Sequence, residues 1–401
     1  MKPEPAYLIN NFCYFHTFFG LCKTVTDPTT IKLTIPQSLN DSVSLPIVLP
    51  SRENLGVVTC GSPIFFAEQW QQAAFTIEVL HFFGVARQIY YFISSSKHFY
   101  SLLKAYEELN FITIIPWVVP DIPKINARQQ LYMRDQMAAV NDCYQRYREA
   151  ADFIIVQDMD DLIFLPQGRK YHSEFQSIYR NHPDAAFIHY GSYMSRLRTS
   201  KVASIFNLGK VLESAQISRI KHLGKSVVKP RRIKSIWVHY PQLFPAHLKP
   251  YEVPVKRGLV VHTRIWHFYK ENNYKTSYFG FKGTNNYFES ISDILSQEDI
   301  QNISSSWDMN YQSFKEKGLV KNLKSTNHYQ PPIDICIKSI GWKETQVAAC
   351  RTIYLCNIEA VKNFECIQMR QTWKRVSEAL EAYLPIEEPR LEEKMNGCTL
   401  E

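Results

Sequence analysis

The sequence has no apolar run long enough to cross a bilayer as a helix. Such a helix needs about 20 consecutive apolar residues, and the best candidate, from Tyr7 to Cys22, is interrupted by Asn10, Asn11 and His16. The N-terminus also lacks the basic and then apolar pattern of a secretory signal. We therefore expect either a cytosolic protein or a chain that begins downstream of its targeting segment.

Cys-x-x-Cys pairs are also missing, although the chain has nine cysteines. Structural zinc sites typically combine two-residue spacings with histidine partners, so this spacing argues against one. Four cysteines lie between Cys336 and Cys366. Two interpretations stay open for them, the disulfides of a lumenal protein or buried free thiols. Cys60 and Cys143 are predicted to be core thiols or one disulfide.

Neither sign of charge dominates the composition. The 46 Lys and Arg residues exceed the 38 Asp and Glu residues by eight, which is too few for a dedicated nucleic-acid-binding protein but allows a small anionic ligand. With 45% hydrophobic and 21% charged residues, the chain should fold rather than stay disordered. At about 150 residues per domain, its length corresponds to two or three domains, or to one large catalytic domain with extensions.

Apolar strands alternate with amphipathic helices from Gly56 onward. Residues 57–60, 88–93, 111–117, 153–156 and 185–190 are predicted strands, and residues 67–83, 97–109, 128–151 and 171–180 are predicted helices. Residues 376–383 also have helix-like spacing. This alternation predicts an α/β fold with a mostly parallel sheet, helices on both faces, and ligands bound outside the carboxyl ends of the strands.

The most informative residues are Asp158-Met159-Asp160-Asp161, directly after the apolar strand. Carboxylates that converge where a parallel sheet opens suit a hard divalent cation. Mg²⁺ or Mn²⁺ binds carboxylate oxygens together with phosphate oxygens of a substrate. The sequence therefore favours a site for a nucleotide or sugar-nucleotide diphosphate; the alternative is a solvated acidic turn.

Two enzyme classes place an Asp-x-Asp pair at a strand end. In haloacid-dehalogenase-like phosphatases the first aspartate is the nucleophile, which would be Asp158, but that motif belongs on the first strand of its domain. In metal-dependent glycosyltransferases of the GT-A type, the pair follows a nucleotide-binding half of about 100 residues. The acidic residues lie about 100 residues after Val57, and this placement favours the second class.

At this point the sequence resembles glycosyltransferase family 92. The motifs that carry the resemblance are Asp135-Gln136 to Asn141-Asp142-Cys143, Ile155 to Leu162, Val58 to Pro63, Val228 to Arg232 with Val238-His239, and Val261-His262-Thr263-Arg264. They extend over about residues 56–268. The sequence departs from the family pattern at Asp161, where Glu is usual, and at Thr263, where Tyr is usual. These departures keep open a second hypothesis, a degenerate member that binds glycans or a partner without catalysis.

The resemblance implies a GT-A-like catalytic domain, which we place at residues 55–330 between an N-terminal extension, 1–54, and a cysteine-containing segment, 331–401. It also implies an inverting transferase of the Golgi membrane with a lumenal catalytic domain. UDP-galactose is the best-known donor in the family, a glycan such as core fucose is an acceptor, and Mn²⁺ or another divalent cation is the expected cofactor.

Site roles follow for several residues. Asp158 and Asp160 are expected to bind the metal and the donor diphosphate, and His239 and His262 are candidates for a further metal ligand or a phosphate contact. Asp161 is expected to orient them or touch the donor sugar. Two further groups are assigned to the donor site: the basic residues Arg231, Arg232 and Arg264, and the helix residue Asp142.

Each role has a structural alternative. A lone histidine is often a satisfied structural residue, an arginine often lies on a solvated face, and Asp142 could pin its helix to the sheet. An inverting transfer also needs a base for the acceptor hydroxyl. Asp184, Glu213 and Glu252 are candidates, and the sequence does not choose among them.

Overall fold

We analysed a computed structural model of the chain, which describes residues 2–5, 13–23, 25–26, 28–35, 38–122, 126–268, 287–321, 323–341, 350–377 and 381–400. The α-helices are α1 Trp70–Phe82, α2 Lys97–Glu108, α3 Gln136–Tyr147, α4 Tyr171–Asn181, α5 Leu208–Ser214, α6 Gln297–Glu316 and α7 Gln330–Gly341. Within the described ranges, no helix combines the length and the apolar character that a bilayer crossing requires.

The strands before the acidic residues are β1 Lys2–Pro5, β2 Phe18–Leu21, β3 Ile31–Ile35, β4 Ser38–Leu45, β5 Gly56–Gly61, β6 Arg87–Phe92, β7 Ser94–Ser96, β8 Ile112–Pro116 and β9 Ala151–Gln157. Those that follow are β10 Asp161–Phe164, β11 Ala185–Thr199, β12 Gln216–Val228, β13 Lys249–Glu252, β14 Leu259–Phe268, β15 Tyr287–Ser290, β16 Cys366–Arg370, β17 Trp373–Ser377, β18 Ala382–Pro385 and β19 Arg390–Lys394. The predicted α/β class is confirmed, because helices and strands alternate as expected over residues 56–190.

One large sheet organises the chain, in the order β10-β14-β11-β12-β9-β5-β6-β8, with β13 beside β11 and β15 beside β12. The pairs β5–β6, β6–β8 and β5–β9 are parallel. Beyond β9 the sheet becomes mixed, since β12 runs antiparallel to β9 and β11 antiparallel to β12. The predicted parallel arrangement therefore describes the first half of the sheet.

Buried apolar side chains cover both faces of this sheet. One cluster packs α1, α2, α4 and α6 on one face, including Trp70, Phe83 and Trp307, and a second packs α3 on the other, including Val140 and Tyr144. The carboxyl ends of β5 and β9 thus open between helices on opposite faces, where α/β sheets bind their ligands.

Two helix predictions were wrong. The helix predicted over residues 128–151 begins only at Gln136, because residues 127–130 and 132–135 form short 3₁₀ turns and Met133, Arg134 and Asp135 all have positive φ. Residues 376–383, predicted as helix, contribute to the antiparallel strands β17 and β18, with 378–380 outside the described residues. Helical spacing in so short a segment did not distinguish a helix from a hairpin.

The cysteines form disulfides Cys13–Cys350, Cys60–Cys143, Cys336–Cys356 and Cys366–Cys398, and Cys22 is free and exposed. Both disulfide interpretations are confirmed, but only one bridge joins two members of the group from Cys336 to Cys366. The C-terminal segment packs on the earlier part of the chain, since β16 pairs with β7. The domain boundaries at residues 55 and 330 stay predictions.

Candidate active site

The acidic residues form a tight turn between β9 and β10. The Asp161 backbone N–H donates to the Asp158 carbonyl at 3.0 Å, and the Thr263 N–H of β14 donates to the Asp160 carbonyl at 2.6 Å. The Met159 carbonyl accepts from Thr76 Oγ1 at 2.6 Å and Gln72 Nε2 at 3.0 Å, both on α1. Helix α1 and strand β14 therefore fix the backbone of the turn from two sides.

Asp158 points into a polar network at the carboxyl ends of β5 and β9. Its Oδ1 accepts a short hydrogen bond from Ser62 Oγ and one of 3.1 Å from Gln136 Nε2, at the start of α3. Its Oδ2 accepts from Lys225 Nζ at 2.6 Å. Lys225 is 1% exposed, and it also donates to the Val238 carbonyl at 3.1 Å.

Asp161 is held between two cations. Its Oδ2 lies 3.2 Å from Lys225 Nζ, and its Oδ1 lies 2.9 Å from His262 Nδ1. The other ring nitrogen of His262, Nε2, lies 3.2 Å from Asp160 Oδ2, at an ion-pair distance without hydrogen-bond alignment. Both nitrogens of His262 therefore face carboxylates.

These contacts set the charge of the site at neutral pH. Burial alone would raise the pKa of Asp161, but His262 and Lys225 hold it well below its usual range. Burial alone would lower the pKa of His262, but Asp161 and Asp160 raise it to about 10. In the same way Asp158 and Asp161 hold the pKa of Lys225 above its ordinary value despite its burial. Lys225, His262 and Asp161 are therefore charged.

The acidic turn has the ligand chemistry of a divalent-cation site. Asp158, Asp160 and Asp161 each offer a carboxylate oxygen, and these oxygens lie within 4.8 Å of one another. Three carboxylates against Lys225 and His262 leave one negative charge, and hard oxygen ligands suit Mg²⁺ or Mn²⁺. Among the residues that the structure describes, no hydrogen bond or ion pair engages Asp160 Oδ1. The turn therefore fits such an ion, with Asp160 as its most available ligand.

The other predicted metal and donor residues form two groups, one beside the acidic turn and one away from it. The first group is His239 and Arg264. His239 borders the site: its Nδ1 lies 2.9 Å from the Gly224 carbonyl, and burial followed by the charge of Lys225 lowers its pKa. Arg264 contacts Asp334 and helps lower the pKa of Asp160, although burial and His262 act on that carboxylate more strongly.

The second group lies away from the acidic turn. Arg231 is 84% exposed, 3.7 Å from Glu149, and Arg232 donates to backbone carbonyls of Pro183 and Ala185. Both follow Val228, which pairs with Ile154 in the middle of β9, and β12 runs from Val156 toward the beginning of β9, away from the acidic turn. Asp142 accepts from Tyr91 and Arg146, which is the helix-pinning arrangement.

None of the three candidate bases contacts the acidic turn. Asp184 has a side chain that is 47% exposed and pairs with Lys249 at 2.8 Å. Glu213 is exposed on α5. Glu252 lies 2.7 Å from His189 Nδ1 and 3.2 Å from Lys221 Nζ.

Sequence reasoning missed three residues that touch the acidic side chains: Ser62, Gln136 and Lys225. A signal for Lys225 exists, because it directly precedes the buried residues Ser226, Val227 and Val228 of β12, and a lysine there needs a carboxylate partner. Ser62 and Gln136 lie inside motifs quoted for the family resemblance, but nothing in their spacing indicates Asp158 as their partner.

The turn before α3 has an unusual backbone. Met133, Arg134 and Asp135 are consecutive left-handed residues, with φ of 46°, 61° and 57°, and each such residue costs about 1–3 kcal/mol. Surrounding contacts hold them there. Met133 N–H donates to the Arg351 carbonyl at 2.9 Å, next to the Cys13–Cys350 disulfide, and Thr17 Oγ1 donates to Asp135 Oδ1 at 2.5 Å.

Comparison with known proteins agrees with this site. The family model of Glycosyltransferase family 92 matches residues 56–311, which contain the acidic turn and, among the described residues, the partners of its side chains named above. Two similar proteins of Caenorhabditis elegans are Glycosyltransferase family 92 protein F59C6.8, 25% identical over 97% of this chain and 76% of its own length, and Glycosyltransferase family 92 protein C33H5.2, 24% identical over 96% and 77%. A third, F55C10.4 of the same family and organism, is 31% identical over 55% of this chain and 44% of its own length.

Proposed function

The chain belongs to glycosyltransferase family 92, and from that premise we propose that it is a metal-dependent, inverting hexosyltransferase. The proposed donor is UDP-galactose, and the proposed acceptor is a glycan such as one that carries core fucose. The observation that carries the proposal is the acidic turn at the carboxyl ends of β5 and β9, whose three carboxylates lie against the buried Lys225 and the half-buried His262.

In this proposal Asp160 is the principal ligand of the cation, with Asp158 and Asp161 beside it. Mn²⁺ bound there would neutralise charge on the departing diphosphate. The protein residues hold the carboxylates in place: Lys225 bridges Asp158 and Asp161, and His262 bridges Asp160 and Asp161. Preorganised charges of this kind lower the barrier because they need no rearrangement during the reaction.

The departures from the family pattern are compatible with activity. Asp161, in place of the usual Glu, still reaches both His262 and Lys225. Thr263, in place of Tyr, fixes the acidic turn, because its backbone and its Oγ1 both donate to the Asp160 carbonyl. These contacts favour an active enzyme over a degenerate member. Family membership also argues against the phosphatase hypothesis, in which Asp158 is the nucleophile.

We propose that the protein acts in the lumen of the Golgi, at its membrane. Four disulfides support an oxidising compartment, since cytosolic proteins rarely keep such bonds. The membrane anchor itself is an expectation from the family.

A donor screen tests this function. Purified protein would be incubated with UDP-galactose, UDP-glucose and UDP-N-acetylglucosamine, with a fucosylated N-glycan or its defucosylated form, and with Mn²⁺ or EDTA, and UDP release and glycan mass would be measured. We expect Mn²⁺-dependent transfer of galactose to the fucosylated glycan. Transfer of another hexose would correct the donor. Equal turnover with Mn²⁺ and with EDTA would reject the metal dependence. No turnover under any condition would support the hypothesis of a degenerate family member that binds without catalysis.

A further inference from the structure

Arg134 is a buried arginine without an anionic partner in the part of the chain that the structure describes. The residue is 6% exposed, and its guanidinium carbon lies 3.6 Å from the centroid of the Phe65 ring. Its Nε is buried with no hydrogen-bond acceptor, and none of its nitrogens forms a hydrogen bond or ion pair with a described residue. A buried charge is normally paired, so a partner outside the protein is the natural explanation.

The position of Arg134 adjoins the acidic turn. The next residue but one, Gln136, donates to Asp158, and Asp158 is close enough for its charge to act on the guanidinium. Burial nevertheless lowers the pKa of Arg134 to about 10, although electrostatic interactions with Tyr354 and Asp158 act to raise it. The group remains charged at neutral pH.

The backbone of Arg134 also sets it apart from other arginines. Its left-handed conformation, shared with Met133 and Asp135, is held by contacts from both ends of the chain. Backbone strain of this kind clusters where a side chain must be aimed at a ligand. The Phe65 ring further restricts the guanidinium plane.

We propose that Arg134 binds the phosphate groups of the nucleotide donor. This inference rests on the proposed function. The forked guanidinium suits two oxygens of one phosphate, and the adjoining carboxyl ends of β5 and β9 are where nucleotides bind to sheets of this type. Arg134 would then supply positive charge to the diphosphate from the α3 side.

Binding measurements on the full chain test the assignment. UDP with Mn²⁺ would be titrated by calorimetry, and uridine, which has no phosphate, by ligand-observed NMR. In Arg134→Met we expect UDP affinity to fall about 10- to 100-fold, the loss of one hydrogen-bonded charge pair, and uridine affinity to stay within about twofold. The matched control is Arg148→Met, because Arg148 also lies over an aromatic ring, Tyr144, beyond the other end of α3; it should bind UDP as wild type does.

Arg134→Lys covers the case in which the methionine variant folds poorly. Lysine keeps the positive charge but lacks the two parallel N–H donors of the guanidinium. The Arg134→Lys variant should therefore bind UDP more tightly than Arg134→Met and less tightly than wild type. The assignment is overturned by wild-type UDP affinity in Arg134→Met, by equal losses for UDP and uridine, or by a lysine variant no better than the methionine one. If the wild type binds neither UDP nor uridine, the proposed donor class is wrong and this assignment with it.

Discussion

Replacing Lys225 by methionine should destabilise the protein strongly. The substitution keeps the length of the side chain but removes a buried ammonium that lies 2.6 Å from Asp158 Oδ2 and 3.2 Å from Asp161 Oδ2. The carboxylates of Asp158 and Asp161 would then face each other without that cation. Removing one partner of a buried ion pair costs about 3–5 kcal/mol, which is a large part of the usual total of about 5–15 kcal/mol.

Thermal unfolding followed by near-UV circular dichroism would measure this loss. At about 2–4 °C per kcal/mol, we expect the melting temperature of Lys225→Met to fall by about 6–20 °C. Adding Asp161→Asn should recover part of the loss, because the second substitution removes one of the stranded charges. Lys249→Met is the matched control, since Lys249 pairs with Asp184 on the surface; exposed ion pairs contribute little to stability, so this variant should melt close to wild type. A loss for Lys225→Met as small as that of the control would refute the buried ion pair.

Three further predictions concern the supports of the site. Glu78 on α1 is buried and accepts hydrogen bonds from Tyr106, Ser306 and Asn310. Burial raises the pKa of Glu78 above the ordinary 4.5. The stability that this raised pKa contributes is therefore fully present below pH 4.5 and is lost as the pH rises through the raised pKa. Urea denaturation at several pH values should show wild type losing stability relative to Glu78→Gln over that range, and a pH-independent difference would contradict the shift. Thr263→Val should cost about 1–3 kcal/mol, because Gln72 and the Asp160 carbonyl lose a partner; an unchanged urea midpoint would contradict this. A variant with serine at Cys13 and Cys350 should be cleaved faster by trypsin after Arg134, since the bridge supports the strained turn, and mass spectrometry showing wild-type cleavage there would count against that support.

The sequence predicted the first half of the sheet and the place of the acidic residues well. Both depend on local patterns: apolar strands such as Ile154 to Val156, and carboxylates at the point where such a strand ends. The start of α3 was not predictable in this way. The contacts that hold the left-handed turn come from Thr17 and Arg351, which are more than 100 residues away in the chain.

The partners of the acidic residues could not be predicted from the sequence either. Lys225 reaches Asp158 only because β12 turns back antiparallel to β9, whereas the periodicity predicted a parallel continuation. The same reversal carries Arg231 and Arg232 to the far end of β9, although their sequence distance from the acidic turn resembles that of His239. Charge composition alone could not separate these residues.

The central claim, that the acidic turn is the metal-dependent donor site, is tested most directly by Mn²⁺-dependent UDP release from UDP-galactose by Asp160→Asn. The account predicts that this variant stays folded but loses at least about 100-fold in turnover, the order of effect of removing one preorganised electrostatic group. The control Asp152→Asn, an exposed residue at the other end of β9 that pairs with His172, should keep wild-type turnover. Wild-type, Mn²⁺-dependent turnover by Asp160→Asn would contradict the account.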